Sequence, residues 1–171
     1  MKKVIIIGCS GSGKSTLAIK LGEKLDIDVY HLDKIWWYGN WQNISKDEFK
    51  TRLGEIMKNG SWIIDGNYRG TLDMRLEGCD TVIYLDYNVI YCLINVIWRY
   101  FKNIGRVRAD MGGECIEKLD FEFIGFILNF NRMNRREIYK SLESCNKDIY
   151  IFRSRRKLNK WMKSFKDKQI K

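Results

Sequence analysis

The sequence predicts an α/β fold, a five-stranded parallel sheet with helices on both faces, and three observations carry that expectation. Short apolar runs rich in β-branched residues alternate along the chain with segments of helical periodicity. A glycine-rich turn joins the first apolar run directly to the first helical segment. Three of the runs end in a carboxylate, Asp33, Asp65 or Asp86, at the strand end where open α/β sheets bind ligands. The 171 residues suit one domain large enough to bury a core without metal or disulfide staples.

The first run, Val4 to Ile7, shows no alternation, as expected of a strand covered on both faces. Gly8, Cys9, Ser10, Gly11, Ser12, Gly13, Lys14 and Ser15 follow at once and satisfy G-x-x-x-x-G-K-[ST], the phosphate-cradling Walker A loop. Its residue types follow from the chemistry. Glycines let successive N–H groups turn inward toward phosphate oxygens, and the next helix adds the partial positive charge of its N-terminus. Lys14 is then a mobile charge for the outer phosphates and Ser15 a ligand for Mg²⁺, with Thr16 next along the helix. The α/β expectation thereby sharpens to a three-layer P-loop NTPase fold binding ATP and Mg²⁺.

From Ser15 to Leu25, Leu17, Ala18, Leu21 and Leu25 share one helical face. Asp28 to Asp33 reads as a second strand ending at Asp33, either a proton acceptor or metal-associated acid near the phosphates, or simply a strand end. Ile35 to Trp41 is an aromatic loop in which Trp37 either walls an acceptor pocket or roofs a small core. Asp47 to Lys58 is helical, with Ser45 as candidate cap. Trp62 to Asp65 is the third strand. Asp65 follows it in the Walker B manner as a magnesium-associated acid, Gly66 allows close approach of ligand, and Arg69 is expected beside the same pocket as a phosphate ligand. Asp86, ending the strand Thr81 to Asp86, is the rival acid.

Val89 to Lys102 is helical and carries Arg99 near its end. The glycine- and arginine-bearing stretch 103–117 suits a flap over the phosphates, a small lid spanning roughly 103–120 that brings Arg106 and Arg108, or else a basic surface loop. Phe121 to Tyr139 reads as one long helix whose phenylalanines pack in the core. Asp148 to Phe152 is the fifth strand. The last helix, from Arg156, docks by Leu158, Trp161, Met162 and Phe165 and is basic elsewhere. From Arg153 onward nine Lys/Arg face one acid, Asp167, so this end holds most of the net charge of +10.

Five cysteines without a C-x-x-C pair and a single histidine, His31, give no zinc pattern and imply a reduced, cytoplasmic protein. The opening Met1-Lys2-Lys3 and its apolar run break too soon into the phosphate loop to be a signal, and Phe121 to Phe130 is too short to span a bilayer, so no membrane partner is expected.

Asp65-Gly66-Asn67-Tyr68-Arg69 resembles the D-G-F-P-R segment of adenylate kinases, with Asn67 and Tyr68 in place of Phe and Pro. Arg106, Arg108 and Asp110 resemble their R-x-D-D lid stretch, keeping one of its two aspartates. More of the chain is similar to a bacterial family of adenylate-kinase-related P-loop proteins labelled "DNA topology modulation protein", through His31-Leu32-Asp33 with Trp37, Trp62 to Tyr68, Asp80 to Asp86, Arg108 to Gly112, Phe130 and Arg153. This resemblance implies nucleoside monophosphate kinase-like chemistry, and Asp33 also looks like the strand-end aspartate of kinases that phosphorylate hydroxyls. The expectation is an ATP- and Mg²⁺-dependent small-molecule kinase with Lys14, Asp33, Arg99, Arg106 and Arg108 as catalytic residues. Its acceptor is a nucleotide, a nucleoside or another small hydroxyl compound. The alternative is an ATP-binding, DNA-associated regulatory protein that uses the basic last helix on nucleic acid.

Overall fold

The structure, a computed structural model, describes residues 1–105, 115 and 119–165. The chain runs β1 (Lys3–Gly8), α1 (Lys14–Leu25), β2 (Val29–His31), α2 (Leu32–Trp36), β3 (Trp37–Tyr38), β4 (Gln42–Asn43), α3 (Lys46–Met57) and β5 (Trp62–Asp65). It continues through α4 (Leu72–Gly78), β6 (Thr81–Leu85), α5 (Val89–Lys102), α6 (Phe121–Phe130), α7 (Arg136–Glu143), β7 (Asp148–Phe152) and α8 (Arg155–Ser164).

Five strands form a parallel sheet in the order β2-β5-β1-β6-β7. Every residue from Val4 to Gly8 and from Trp62 to Asp65 is buried, which is why these runs lack alternation. Each isoleucine of β1 removed from water contributes about 1.5–3 kcal/mol, so the central strands anchor the sheet. β1 lies between β5 and β6. Strands β2 and β5 therefore deliver their carboxyl ends to one side of the phosphate loop, and β6 and β7 to the other.

Helix ends follow local chemistry. Ser45, Asp120 and Ser154 cap α3, α6 and α8 by accepting the N–H of Glu48, Phe123 and Lys157, and Asn88 accepts from Ile90 at the start of α5. Two expectations change. The second strand is shorter than Asp28 to Asp33, and Asp33 sits instead in the first turn of α2. The helix begun at Phe121 passes through a π-helical turn at Asn131–Arg135 and runs on to Glu143. Its phenylalanines are not all core residues: Phe130 is buried, whereas Phe121 is 92% and Phe126 45% exposed.

Asp86 is taken by a local network rather than by the phosphate site. Its carboxylate accepts from Arg135 and from the Tyr139 hydroxyl, both at 2.9 Å, with Arg153 Nε at 3.5 Å. It ties the π turn to the end of the sheet.

The strand starts are stitched by Asp80, whose Oδ2 accepts the N–H of Lys2 and Lys3 while Oδ1 accepts the Thr81 hydroxyl. Partial burial raises its pKa, but these hydrogen bonds outweigh it and hold the carboxyl below the usual range. A depressed carboxyl stabilises the fold above its unfolded pKa of about 3.9 and loses that contribution as pH falls through the folded value. Asp80→Asn should therefore cost about 1 kcal/mol at pH 7, a figure already modest because the group is part-exposed. The gap to wild type should shrink as melts are taken to progressively lower pH, and a gap that stays constant would refute this account of the carboxylate.

Candidate functional site

The loop between β1 and α1 is held open by contacts on three sides. Asn67, just past β5, grips Gly8 twice: its Oδ1 accepts the Gly8 N–H at 2.9 Å and its Nδ2 donates to the Gly8 carbonyl at 2.7 Å. Within the loop, the Ser12 N–H at 3.1 Å and Lys14 Nζ at 3.0 Å both donate to the Cys9 carbonyl. On the third side Asn95 of α5 donates to the Gly11 carbonyl at 2.9 Å. Gly11 lies so close to α5 that a Cβ there would stand 2.2 Å from the Cys92 carbonyl oxygen, and its φ of +79° also favours glycine. Gly13, at φ +90°, has no atom within 4 Å of where a Cβ would be, on the side open to the cleft.

Above this loop lies a cleft of about 980 Å³. Ser10 to Thr16 line it, and so do Asp33, Asp65, Gly66 and Arg99. The residues fit a phosphate chain: Ser12 Oγ is buried without a hydrogen-bond partner, and α1 has no acid in its first turn to offset its positive end. For a magnesium ion, the oxygens of Ser15 and Asp65 line this cleft, as does the Asp33 carboxylate. Among the described residues no three His, Cys, Asp or Glu side chains gather, so water and phosphate oxygens would complete its shell.

Gly8 and Cys9, expected to contact the nucleotide, are not among the residues that line the cleft. Gly8 spends its backbone on Asn67, and the Cys9 side chain is buried among Ile127 and Cys92. Its hydrogen bond with Cys92, then burial, push the Cys9 thiol well above its ordinary pKa.

Asp33 and Asp65 reach the cleft from the β2–β5 side with distinct partners. Asp65 is buried at the end of β5, and its Oδ1 lies 2.6 Å from His31 Nδ1. Asp33 Oδ1 accepts the Tyr68 hydroxyl at 2.8 Å. Burial, followed by the Asp33 charge, raises the Tyr68 phenol far above its ordinary pKa, so it remains a donor at neutral pH. Trp37 does not line the cleft. Its side chain hydrogen-bonds Tyr68 and packs edge-on against Trp36 and Trp41, so it supports Asp33 through the tyrosine. Trp36 roofs a small cluster with Phe49 and Tyr68.

Arg69 is the clearest departure. It pairs with Glu137 of α7 and does not line the cleft beside which it was expected. Arg75, fully buried, holds the segment after β5 in shape: it donates to the carbonyls of Thr71, Gly66, Asn67 and Tyr68 at 2.8–3.2 Å. Burial lowers its pKa only to about 10, which leaves it charged at neutral pH. Arg106 and Arg108 lie outside the described residues.

From the opposite side, α5 contributes Tyr91, Asn95, Trp98 and Lys102 besides Arg99, and α8 contributes Arg155, Asn159 and Lys163. The α8 residues were not expected at the site. Their only sequence signal is basicity, which a solvated face produces equally well. Asn95 was legible in principle, as an amide inside the otherwise apolar stretch from Val89 to Trp98.

The sequence matches no protein-family model and no curated protein. Solved structures do resemble the fold. A shikimate kinase from Acinetobacter baumannii in complex with shikimate superposes with a TM-score of 0.55 at 16% identity, over 97% of this chain and 95% of its own. A shikimate kinase from Bacteroides thetaiotaomicron gives 0.53 at 14% identity over 94% of both chains. Deoxyadenosine kinase from M. mycoides with bound dATP gives 0.52 at 16% identity, over 90% of this chain and 91% of its own. The chain has the fold of the P-loop kinases. Within that P-loop kinase fold, no helix of the described residues is long and apolar enough to cross a membrane.

The two glycines should separate experimentally. Gly11→Ala meets both backbone strain and a backbone clash and should lower stability by about 3 kcal/mol or more; Gly13→Ala meets strain alone, about 1 kcal/mol. Denaturant melts of both variants test this, and equal losses would contradict the packing of the loop on α5.

Proposed function

We propose that the protein is an ATP- and Mg²⁺-dependent phosphotransferase that phosphorylates a hydroxyl group of a small, locally uncharged acceptor. The observation that supports this best is the division of charge across one cleft. Lysines and arginines enter from the β6–β7 side through α5 and α8, Asp33 and Asp65 enter from the β2–β5 side, and Lys20, Glu23 and Lys24 of α1 line the cleft as well. A polyphosphate favours the first side and repels the second. At the acceptor side, Arg69 is paired with Glu137 and Arg75 is spent on carbonyls, so neither of these arginines is set toward an acceptor phosphate. This favours a hydroxyl acceptor over the nucleoside monophosphate that the adenylate-kinase likeness of residues 65–69 suggests. The motif likeness to the "DNA topology modulation protein" family remains part of the reading at the level of branch.

In this proposal the loop N–H groups and Lys14 hold the outer phosphates, Ser15 and Asp65 hold the metal, and Ser10 to Thr16 wrap the chain. Magnesium, when bound, draws charge from the phosphate oxygens. Asp33, oriented by Tyr68, accepts the acceptor's proton as the new O–P bond forms and the bond to the ADP leaving group breaks. Arg99, with Arg106 and Arg108, neutralises the transferring group. Phosphoryl transfer asks the protein mainly for such positioning and charge, worth about 10³-fold or more for a well-placed arginine.

DNA association through α8 gains less support, because Arg155 and Lys163 already line the cleft, leaving Arg156, Lys157 and Lys160 on its other sides.

Following ADP release over nucleosides, polyols and nucleoside monophosphates tests the proposal. Turnover should appear with a neutral hydroxyl acceptor. Lys14→Ala should reduce it by about 10³-fold with the fold intact, and Asp33→Asn by about 10²–10⁴-fold. Arg69→Ala should change it no more than a few-fold. Normal turnover in Lys14→Ala would end the kinase reading, and a severe Arg69 effect with a mild Asp33 effect would replace the hydroxyl acceptor by a phosphorylated one.

A further inference from the structure

The one histidine of the sequence, His31, takes no part in the proposed transfer, yet it meets the acid assigned to the metal. Strand β2 runs parallel to β5 in a register that sets His31 beside Asp65, so the two side chains leave the sheet on the same face. The chain is close-packed at this point as well. Gly66, at φ +134°, lies where a Cβ would stand 2.8 Å from Leu32 Cβ, so the glycine lets the two strand ends approach.

His31 Nδ1 lies 2.6 Å from Asp65 Oδ1, with the histidine side chain 13% and the aspartate side chain 4% exposed. A metal-holding carboxylate only accepts hydrogen bonds, so Nδ1 carries the proton and acts as the donor. Among the described residues no other hydrogen bond reaches the Asp65 carboxylate, although Asp65 lines the cleft. One oxygen is therefore anchored and the other has no protein donor. A carboxyl group free to turn about its bond to Cβ presents either oxygen to an ion, and a short bond to a mostly buried, planar ring removes that freedom.

We infer that His31 is a positioning residue for the metal: it holds Asp65 Oδ1 so that Oδ2 is left for the ion on a carboxylate of fixed orientation. The same bond ties Asp65 to the chain two residues before Asp33, which sits in the first turn of α2, so the two acids of the cleft keep their separation. A role confined to joining β2 to β5 fits less well. The ladder from Val29 to His31 already joins those strands, and it needs no donor aimed at a carboxylate of the cleft. The inference rests on the proposed nucleotide and metal site, though not on turnover.

The probe is Mn²⁺, whose free-ion electron paramagnetic resonance signal gives its dissociation constant from the complex of the full chain with ADP. Leucine and asparagine at position 31 have nearly the same shape, and the asparagine Nδ2 falls where the histidine Nδ1 stood, so the two variants differ in the donor. His31→Leu should weaken Mn²⁺ binding by about 10-fold or more, in the ~10–100-fold range of a lost partner to a metal ligand, and His31→Asn should bind it nearly as the wild type does. Added to Asp65→Asn, His31→Leu should cause no further loss. Metal-free ADP, measured in EDTA, should bind all of these variants equally. Wild-type Mn²⁺ affinity in His31→Leu, an asparagine variant as weak as the leucine one, losses at 31 and 65 that multiply, or an equal loss of metal-free ADP affinity would each overturn the inference. So would a wild-type complex that holds Mn²⁺ no tighter than ADP in solution does. The expected pattern of Mn²⁺ binding without ADP release from ATP on any acceptor would end the phosphotransferase reading and uphold the role of His31.

Discussion

The conformation of residues 8–13 is the constraint on which the rest of the site depends, and the loop cannot maintain it unaided. Three glycines with positive φ make the turn possible, yet the same freedom makes it costly to order. The order comes from neighbours: Asn67 closes both hydrogen-bonding groups of Gly8, and Asn95 with the Cys92 carbonyl fixes Gly11 against α5. Strand β5 and helix α5 thus impose the loop's shape, and the loop's open side, at Gly13, and the buried, unpartnered hydroxyl of Ser12 remain for phosphate oxygens.

That dependence links the loop to the acceptor side of the cleft. Asn67 belongs to the short segment after β5 that Arg75 holds through the carbonyls of Gly66, Asn67 and Tyr68. Tyr68, in turn, donates to Asp33. One buried guanidinium therefore sets the residue that grips the phosphate loop and the residue that orients the carboxylate. An arginine is suited to the task because its planar fork offers several fixed donors and stays charged even where burial lowers its pKa to about 10.

Much of this was legible in the sequence wherever the signal was local. Val4 to Ile7 and Trp62 to Asp65 declare buried strands, the glycine spacing declares the loop, and Asp65 at a strand end declares its side of the cleft. What failed was the assignment among like residues. Arg69 and Arg75 are six positions apart after the same strand, and nothing in their spacing tells which will be buried and which will find Glu137 on a helix much later in the chain. The same holds for Trp37, whose neighbour Trp36 takes the core position, and for the basic residues of α8, whose approach to the cleft is fixed by the place of β7 at the sheet edge. Long-range pairing decides these cases, and periodicity carries no record of it.

Helix α5 shows how one element can answer to several demands at once. Its buried stripe must be small enough for Gly11 to approach, which Cys92 and Val96 allow; a bulkier residue there would push the loop outward. Its cleft stripe must be polar, and its outer stripe is apolar throughout. Keeping an apolar stripe in water serves neither the loop nor the cleft, since polar residues of equal helix propensity at Ile90, Ile94 and Phe101 would leave both inner stripes intact. The composition of the outer stripe is thus a requirement separate from the site it backs.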